Sequence, residues 1–171
     1  MSDRAPLSIS RMDPGRIDEI VELSVRAWSP VFPKMRKEID GFVYDSFYPH
    51  GWEARQRADV SAICADAATE IWIASVDGVL AGYVGLRGHE ADSMGEVQII
   101  AVDPDRQRMG VGAALLDFSF AWMRRNGYAM AMVETGGDQG HAPSRAIYEA
   151  VGFRRYPVAR YFKNLRGDGE E

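Results

Sequence analysis

Cysteine, histidine, long apolar runs and excess positive charge are all scarce in this 171-residue chain. A single cysteine, Cys64, permits no internal disulfide, which is compatible with a reducing compartment. As a nucleophile it would need a partner to lower its pKa, and no histidine lies near it in the sequence, so it reads as a core residue. The three histidines, His50, His89 and His141, are too scattered to suggest a metal site, and no metal is expected. No run of eighteen apolar residues suggests a membrane span, and no leader of basic, apolar and then small residues is visible, so the expected location is the cytoplasm. A net charge of -5 argues against a polyanion-binding surface, which makes nucleic acid an unexpected partner. There is no internal repeat.

What is present suits a single domain over residues 1–165, with 46% hydrophobic residues to build a core and a polar tail at 166–171 expected to be disordered. The chain is organised around Glu96–Leu116. Residues 97 to 102 are β-branched or apolar apart from Gln98, and Asp103-Pro104 ends the run, because proline cannot donate to a sheet ladder. After Gly112 the apolar residues Leu115, Phe118 and Trp122 recur at helical intervals, so a helix begins near Gly110 and runs to about Arg125. Its first amides have no intrahelical partner, and Gly110 and Gly112 have no side chain to hold a ligand away, so a phosphate could sit directly on the backbone. Arg106 and Arg108 add positive charge.

Gln107-Arg108-Met109-Gly110-Val111-Gly112 resembles the Gln/Arg-x-x-Gly-x-Gly/Ala signature of the GNAT superfamily of N-acetyltransferases. A second segment, His141-Ala-Pro-Ser-Arg-Ala-Ile-Tyr148-Glu-Ala-Val-Gly152-Phe153, is similar to that family's other diagnostic element, a short helix with an Ile/Leu-Tyr pair that closes at Gly-Phe. Pro143 suits a first helical turn and Gly152 a left-handed helix end. The resemblance covers roughly residues 71 to 162. It implies an α/β fold in which a central mixed, mostly antiparallel sheet of six or seven strands carries helices on both faces.

The remaining residues fit that order. Leu7–Met12 alternates as a first strand, and Asp13 with Pro14 starts a helix whose stripe is Ile17, Ile20, Val21, Val25 and Trp28. Residues 28 to 52 hold seven of the eighteen aromatic residues among three prolines, a mixture that predicts an irregular stretch, either the wall of a small-molecule pocket or a cover over the core. Glu53–Asp66 reads as a helix. Ile71–Val76 and Val79–Leu86 flank Asp77-Gly78, a two-residue hairpin signal. Tyr128–Glu134 is a further strand, Gly136–Gly140 a mobile-looking loop, and Arg154–Lys163 one or two final strands around Pro157. Those strands and the arginines could support a homodimer.

The resemblance implies acetyl-CoA as the acyl donor and a primary amine of a small molecule or peptide as the acceptor. Backbone groups of Ile100, Ala101 and Val102 would meet the pantetheine arm. The segment Gln107, Arg108, Met109, Gly110, Val111, Gly112 and Ala113 would hold the pyrophosphate, with His141, where the family often has asparagine, and Ser144 alongside. Glu96 is the candidate base for the acceptor ammonium, directly or through water, and Tyr148 the candidate acid for the leaving thiolate, since a phenol stays neutral near pH 7. The alternative is a non-catalytic acyl-CoA sensor of the same fold. A nucleotide-binding domain is disfavoured, because neither Gly-x-x-x-x-Gly-Lys nor a full Gly-x-Gly-x-x-Gly is present.

Overall fold

In the computed structural model, which describes residues 6–167, Asp77 and Gly78 take φ values of 53° and 77° and form the tight turn expected of an Asp-Gly pair. The turn joins β2 (Thr69–Val76) to β3 (Val79–His89). β1 (Leu7–Arg11) pairs antiparallel with β2, β4 (Met94–Val102) pairs antiparallel with β3, and β5 (Met130–Val133) lies parallel to β4, giving the order β1-β2-β3-β4-β5. The helices are α1 (Ile17–Trp28), α2 (Phe32–Met35), α3 (Gly41–Phe47), α4 (Trp52–Ala65), α5 (Val111–Arg125) and α6 (Ala142–Ala150). None among the described residues is long and apolar enough to cross a membrane. The chain divides into two compact units, Met1–Trp28 with Arg55–Glu134 and Ser29–Ala54 with Thr135–Glu171.

The sheet has five strands rather than the expected six or seven. The shortfall is at the end of the chain, where residues 154–163 form no strand. Pro157 has no N–H for a ladder, and Tyr156, Val158 and Tyr161 stand 84%, 79% and 89% exposed, so the segment meets no neighbouring strand among the described residues. Of the expected tail, Arg166 and Gly167 are exposed and without regular structure, and residues 168–171 lie outside the described residues.

In the first unit the strand period of two sorts the core onto two faces. Tyr83, Ile71, Ile73 and Ala101 pack with Ile20, Val21 and Leu23 of α1 and Val60 of α4. Gly82, next along β3, faces α5: a methyl group there would lie 3.1 Å from Val111 and 3.2 Å from Leu115. Tyr83 is fully buried, and its hydroxyl shares a 2.6 Å hydrogen bond with Ser24, whose own hydroxyl also reaches the Ile20 carbonyl. That satisfies a polar group whose burial would otherwise cost stability. Farther along, Gly88 and Gly95 stand opposite each other, and a Cβ on them would fall 1.8 Å from the Tyr128 hydroxyl and 2.4 Å from Met123.

At the start of α1, Asp13 accepts from the Gly15 amide with Pro14 behind it, as the sequence predicts. A second aspartate, Asp103, caps the turn after β4. Its carboxylate accepts from the Asp105 amide at 3.0 Å and from Arg26 of α1 at 2.5 Å.

The second unit corrects two expectations. The aromatic-rich stretch is not irregular: it forms α2 and α3, because Pro33 sits in a first turn, where its missing N–H costs nothing, and Asp40 occupies the position before Gly41. Its rings pack on one another, with Phe32 stacked on Trp52 at 4.5 Å and edge-on to Tyr48 at 5.3 Å. The loop at 136–140 is tied down rather than loose. Arg145 donates to the carbonyls of Gly136 and Asp138, and Glu38 accepts from the Gln139 amide.

Burial alone would push the Asp103 carboxyl up, but the hydrogen bond and charge of Arg26 and the Asp105 amide hold it below the ordinary carboxylate range. With the folded pKa below the unfolded one, its stabilisation is complete above about pH 3.9 and is lost as pH falls through the folded value. Asp103→Asn keeps an acceptor for the Asp105 amide but loses the charge that Arg26 faces, and should cost about 1 kcal/mol or less at pH 7. Thermal melts of this variant should also fall less than wild type between pH 5 and pH 3.

Candidate active site

The turn after β4 is shaped by two left-handed residues, Arg108 at φ 64° and Gly110 at φ 82°. Gly110 precedes α5, and the first helical bond there runs from the Ala114 amide to the Gly110 carbonyl. The amides of Val111, Gly112 and Ala113 thus stand ahead of the helix ladder, at the positive end of the α5 dipole. Gln107, Arg108, Met109, Gly110 and Ala113 are exposed, Gly112 is half-buried, and Val111 anchors the turn in the core. Beside Gly110 a Cβ would meet nothing within 4 Å, so the space over the turn is open.

The strand leading into this turn is open on one side. β5 pairs with β4 only from Met94 to Val97, so from Gln98 to Val102 no strand covers the outer edge of β4 among the described residues. The bond from the Asp103 amide to the Ala81 carbonyl, at 2.8 Å, flanks the Gly82–Val102 pair. An antiparallel pair flanked in this way does not bond to itself, so Val102, and Ile100 two residues earlier, point amide and carbonyl away from β3 toward the open edge. Ala101 between them uses its groups on β3 and buries its side chain in the α1 face. Toward the other end of β4, Gln98 is the extra residue of a β-bulge, since Gly85 opposes Ile99 and Leu86 opposes Val97.

Glu96 lies beyond that bulge on the sheet face that carries Tyr83, and it is not a solvated charge. Its Oε2 is 2.6 Å from His89 Nε2, with side chains 20% and 33% exposed respectively. Polar groups continue along this face: Thr69 donates to Gln98 Oε1 at 2.6 Å, and Asp66 accepts from Thr69 and pairs with Arg87. The Ala68 amide and the Thr69 hydroxyl hold the Asp66 carboxyl below its ordinary range. The sequence reading passed over His89, because its partner is set by cross-strand register seven residues away. A histidine ending one strand and a glutamate opening the next, with an exposed turn between, is the signal that could have found it.

Glu96 belongs to the first unit and Tyr148, His141 and Ser144 to the second. Tyr148 is half-buried on α6 against Phe153, their rings 5.9 Å apart at 75°, and burial pushes its phenol up to about 12. His141 Nδ1 is 2.7 Å from Asp138 Oδ2, and Ser144 lies half-buried one helical turn later. Burial would raise the Asp138 carboxyl, but the bond and charge of His141 leave it lowered. A pocket of about 320 Å³ in this unit is lined by Phe42, Val43, Phe47, Phe162 and Leu165, and none of the predicted site residues lines it. Burial pushes the Cys64 thiol up to about 11, which suits a core residue and not a nucleophile. No group of three histidine, cysteine or acidic side chains among the described residues could hold a metal ion.

An open strand edge thus runs directly into a turn whose amides stand ahead of the helix ladder. A family model described as the acetyltransferase (GNAT) family matches residues 36–153, and the chain belongs to that family. Over 88 residues it is 33% identical to the mycothiol acetyltransferase of Thermomonospora curvata, covering 52% of this chain and 29% of that protein. Over 63 residues it is 36% identical to the ribosomal protein bS18-alanine N-acetyltransferase of Escherichia coli strain K12, covering 37% of this chain and 41% of that one. The chain thus matches less than half the length of either relative. Among solved structures, the ribosomal-protein-S18-alanine N-acetyltransferase from Escherichia coli superposes with a TM-score of 0.67 at 20% identity, over 95% of this chain and 87% of that chain. The PaiA N-acetyltransferase from Thermoplasma acidophilum, in complex with coenzyme A, gives 0.66 at 13% identity, over 90% and 93%. At these identities the likeness is one of fold.

The two glycines of the turn should respond differently to a methyl group. Gly110→Ala places a side chain at φ 82° and should lower stability by about 1 kcal/mol or more. At Gly112 a Cβ would sit 3.6 Å from Val102, an ordinary contact, so Gly112→Ala should leave the melting temperature unchanged.

Proposed function

We propose that the chain is an N-acetyltransferase that moves an acetyl group from acetyl-CoA to a primary amine of a small molecule or peptide, by direct attack with both substrates bound. The observation that carries this reading is the continuity of the open β4 edge with the amide-bearing turn. Ile100 and Val102 would pair with the amides of the pantetheine arm as a neighbouring strand would. The amides of Val111, Gly112 and Ala113, with Arg106 and Arg108 nearby in sequence, would take the pyrophosphate. Gly110 and Gly112 let phosphate oxygens reach the backbone, and Gln107 and Met109 frame the turn. The family resemblance also assigns His141 and Ser144 to that ligand.

When bound, acetyl-CoA supplies an acyl carbon activated by its thioester and a thiolate that can leave. The chain's first contribution is orientation, since holding two reactants in line replaces an encounter in solution. The second is proton traffic. An ammonium acceptor must lose a proton before its nitrogen can attack, and the Glu96 end of the polar sheet face would take it. At neutral pH Tyr148 keeps its proton, because burial raises its phenol, and Oη can donate to the departing sulfur. Relatives named for mycothiol and for a ribosomal-protein alanine share the family, and since those names differ, the acceptor class here is a primary amine and no finer.

Thiol release from acetyl-CoA across a panel of amino acids, polyamines, aminoglycosides and short peptides tests this reading. Amine-dependent release is the expected result, and none with any acceptor, from folded protein, would favour a binding module instead. Gly112→Glu should abolish acetyl-CoA binding in calorimetry while the protein stays folded, since an acidic residue suits a helix start but excludes a phosphate. Tyr148→Phe should lower kcat at least tenfold, within the general-acid range, with acetyl-CoA affinity nearly unchanged.

A further inference from the structure

We propose that the atom taking the acceptor's proton is Nδ1 of His89, with Glu96 behind it as the positioning carboxylate. This rests on the acetyltransferase reading and changes the assignment within it, since the family resemblance points to the glutamate alone. Three observations carry the inference. The Nε2–Oε2 distance of 2.6 Å commits that ring nitrogen to the carboxylate, which accepts only, so the neutral imidazole carries its hydrogen on Nε2 and its lone pair on Nδ1. His89 is also the more open member, 33% exposed against 20%, so an incoming amine meets the ring before the carboxylate. Finally, the pair shares β3 and β4 with the bulge at Gln98, between it and the open groups of Ile100 and Val102. Bulges in such places re-aim side chains beside functional sites.

The other charged groups on these elements do not compete for the ring. Arg87, opposite Glu96, is drawn to Asp66, and Glu90 and Asp92 are exposed in the turn between the strands. In the step itself, the acceptor's ammonium proton passes to Nδ1 and the freed nitrogen lone pair forms the N–C bond to the acetyl carbon. The C–S bond breaks, its electron pair leaves on sulfur, sulfur takes a proton from Tyr148 Oη, and the second proton shed by the acylated nitrogen returns through water to the phenolate. Glu96 remains a carboxylate throughout and stabilises the imidazolium, which returns its proton to water.

The test begins without turnover. Nitrogen NMR of the free protein should show neutral His89 protonated on Nε2, and Glu96→Gln, whose amide can donate to Nε2, should shift it toward the Nδ1–H form. A ring protonated on Nδ1 in wild type would overturn the proposal. In the acetyl transfer assay, His89→Gln and Glu96→Gln should each lower kcat by about 10²–10⁴-fold, the range for a positioned acid or base, with acetyl-CoA affinity unchanged. The double variant should be no slower than the worse single, because the two act as one unit. Added imidazole should restore part of the rate to His89→Ala but not to Glu96→Gln. A His89→Gln enzyme at the wild-type rate beside a crippled Glu96→Gln would return the role to Glu96 and refute this inference alone. No amine-dependent release by wild type would instead bring down the acetyltransferase reading, and this one with it.

Discussion

Four residues of β5 cover the outer edge of β4, which then continues from Gln98 to Val102 without a strand neighbour on that side among the described residues. Backbone amides and carbonyls are obligatory hydrogen-bonding groups, so a strand left half-paired keeps a line of donors and acceptors for whatever extended molecule lies beside it. The rest of the first unit serves this opening. β3 holds the other edge of β4 in register, Asp103-Pro104 stops the strand, and the left-handed residues Arg108 and Gly110 turn the chain so that α5 begins where the edge ends. A longer β5 would consume the same groups in an ordinary ladder and leave the turn a mere connection.

Side-chain alternation then divides the work between the faces of the sheet. The α5 face is filled by close docking, with Gly82 admitting Val111 and Leu115 to within a methyl's reach of β3. The α1 face is apolar as far as Ile99 and becomes polar at Gln98, Arg87, Glu96 and His89. Apolar packing thus gives way to polar pairs within a few residues of β4, and Asp103 holds the far end of that strand to α1 through Arg26.

Much of this was legible in the residues. Asp77-Gly78, Asp103-Pro104 and Gly152 each impose a local geometry whatever surrounds them, and the structure has a tight turn, a strand end and a helix end at those places. The glycine turn could be read for the same reason. What could not be read depends on neighbours distant in sequence. Arg154–Lys163 holds enough β-branched and aromatic residues to suggest one or two strands, yet a strand exists only where another offers its edge, and Pro157 weakens that claim. The stretch from 28 to 52 looked irregular because its prolines suggest a broken chain, yet Pro33 stands in the first turn of α2 and α3 lies clear of all three. The contact between His89 and Glu96 depends on β3–β4 register, which no single-strand pattern encodes, and the ties of Arg145 to its loop depend on the fold of the second unit.

Gly88 and Gly95 face each other beside His89 and Glu96, and neither has room for even a methyl group. The chain positions flanking the polar pair are therefore closed to sequence drift, because any side chain there would displace Tyr128 or Met123. The exposed residues Glu90–Asp92 have no such restriction, whereas Ser93, at φ 49°, is held by the Ala129 and Met130 amides that donate to its carbonyl. A lineage could rewrite those three turn residues while inheriting the spacing of the histidine and glutamate unaltered, because the glycines that set it admit no replacement.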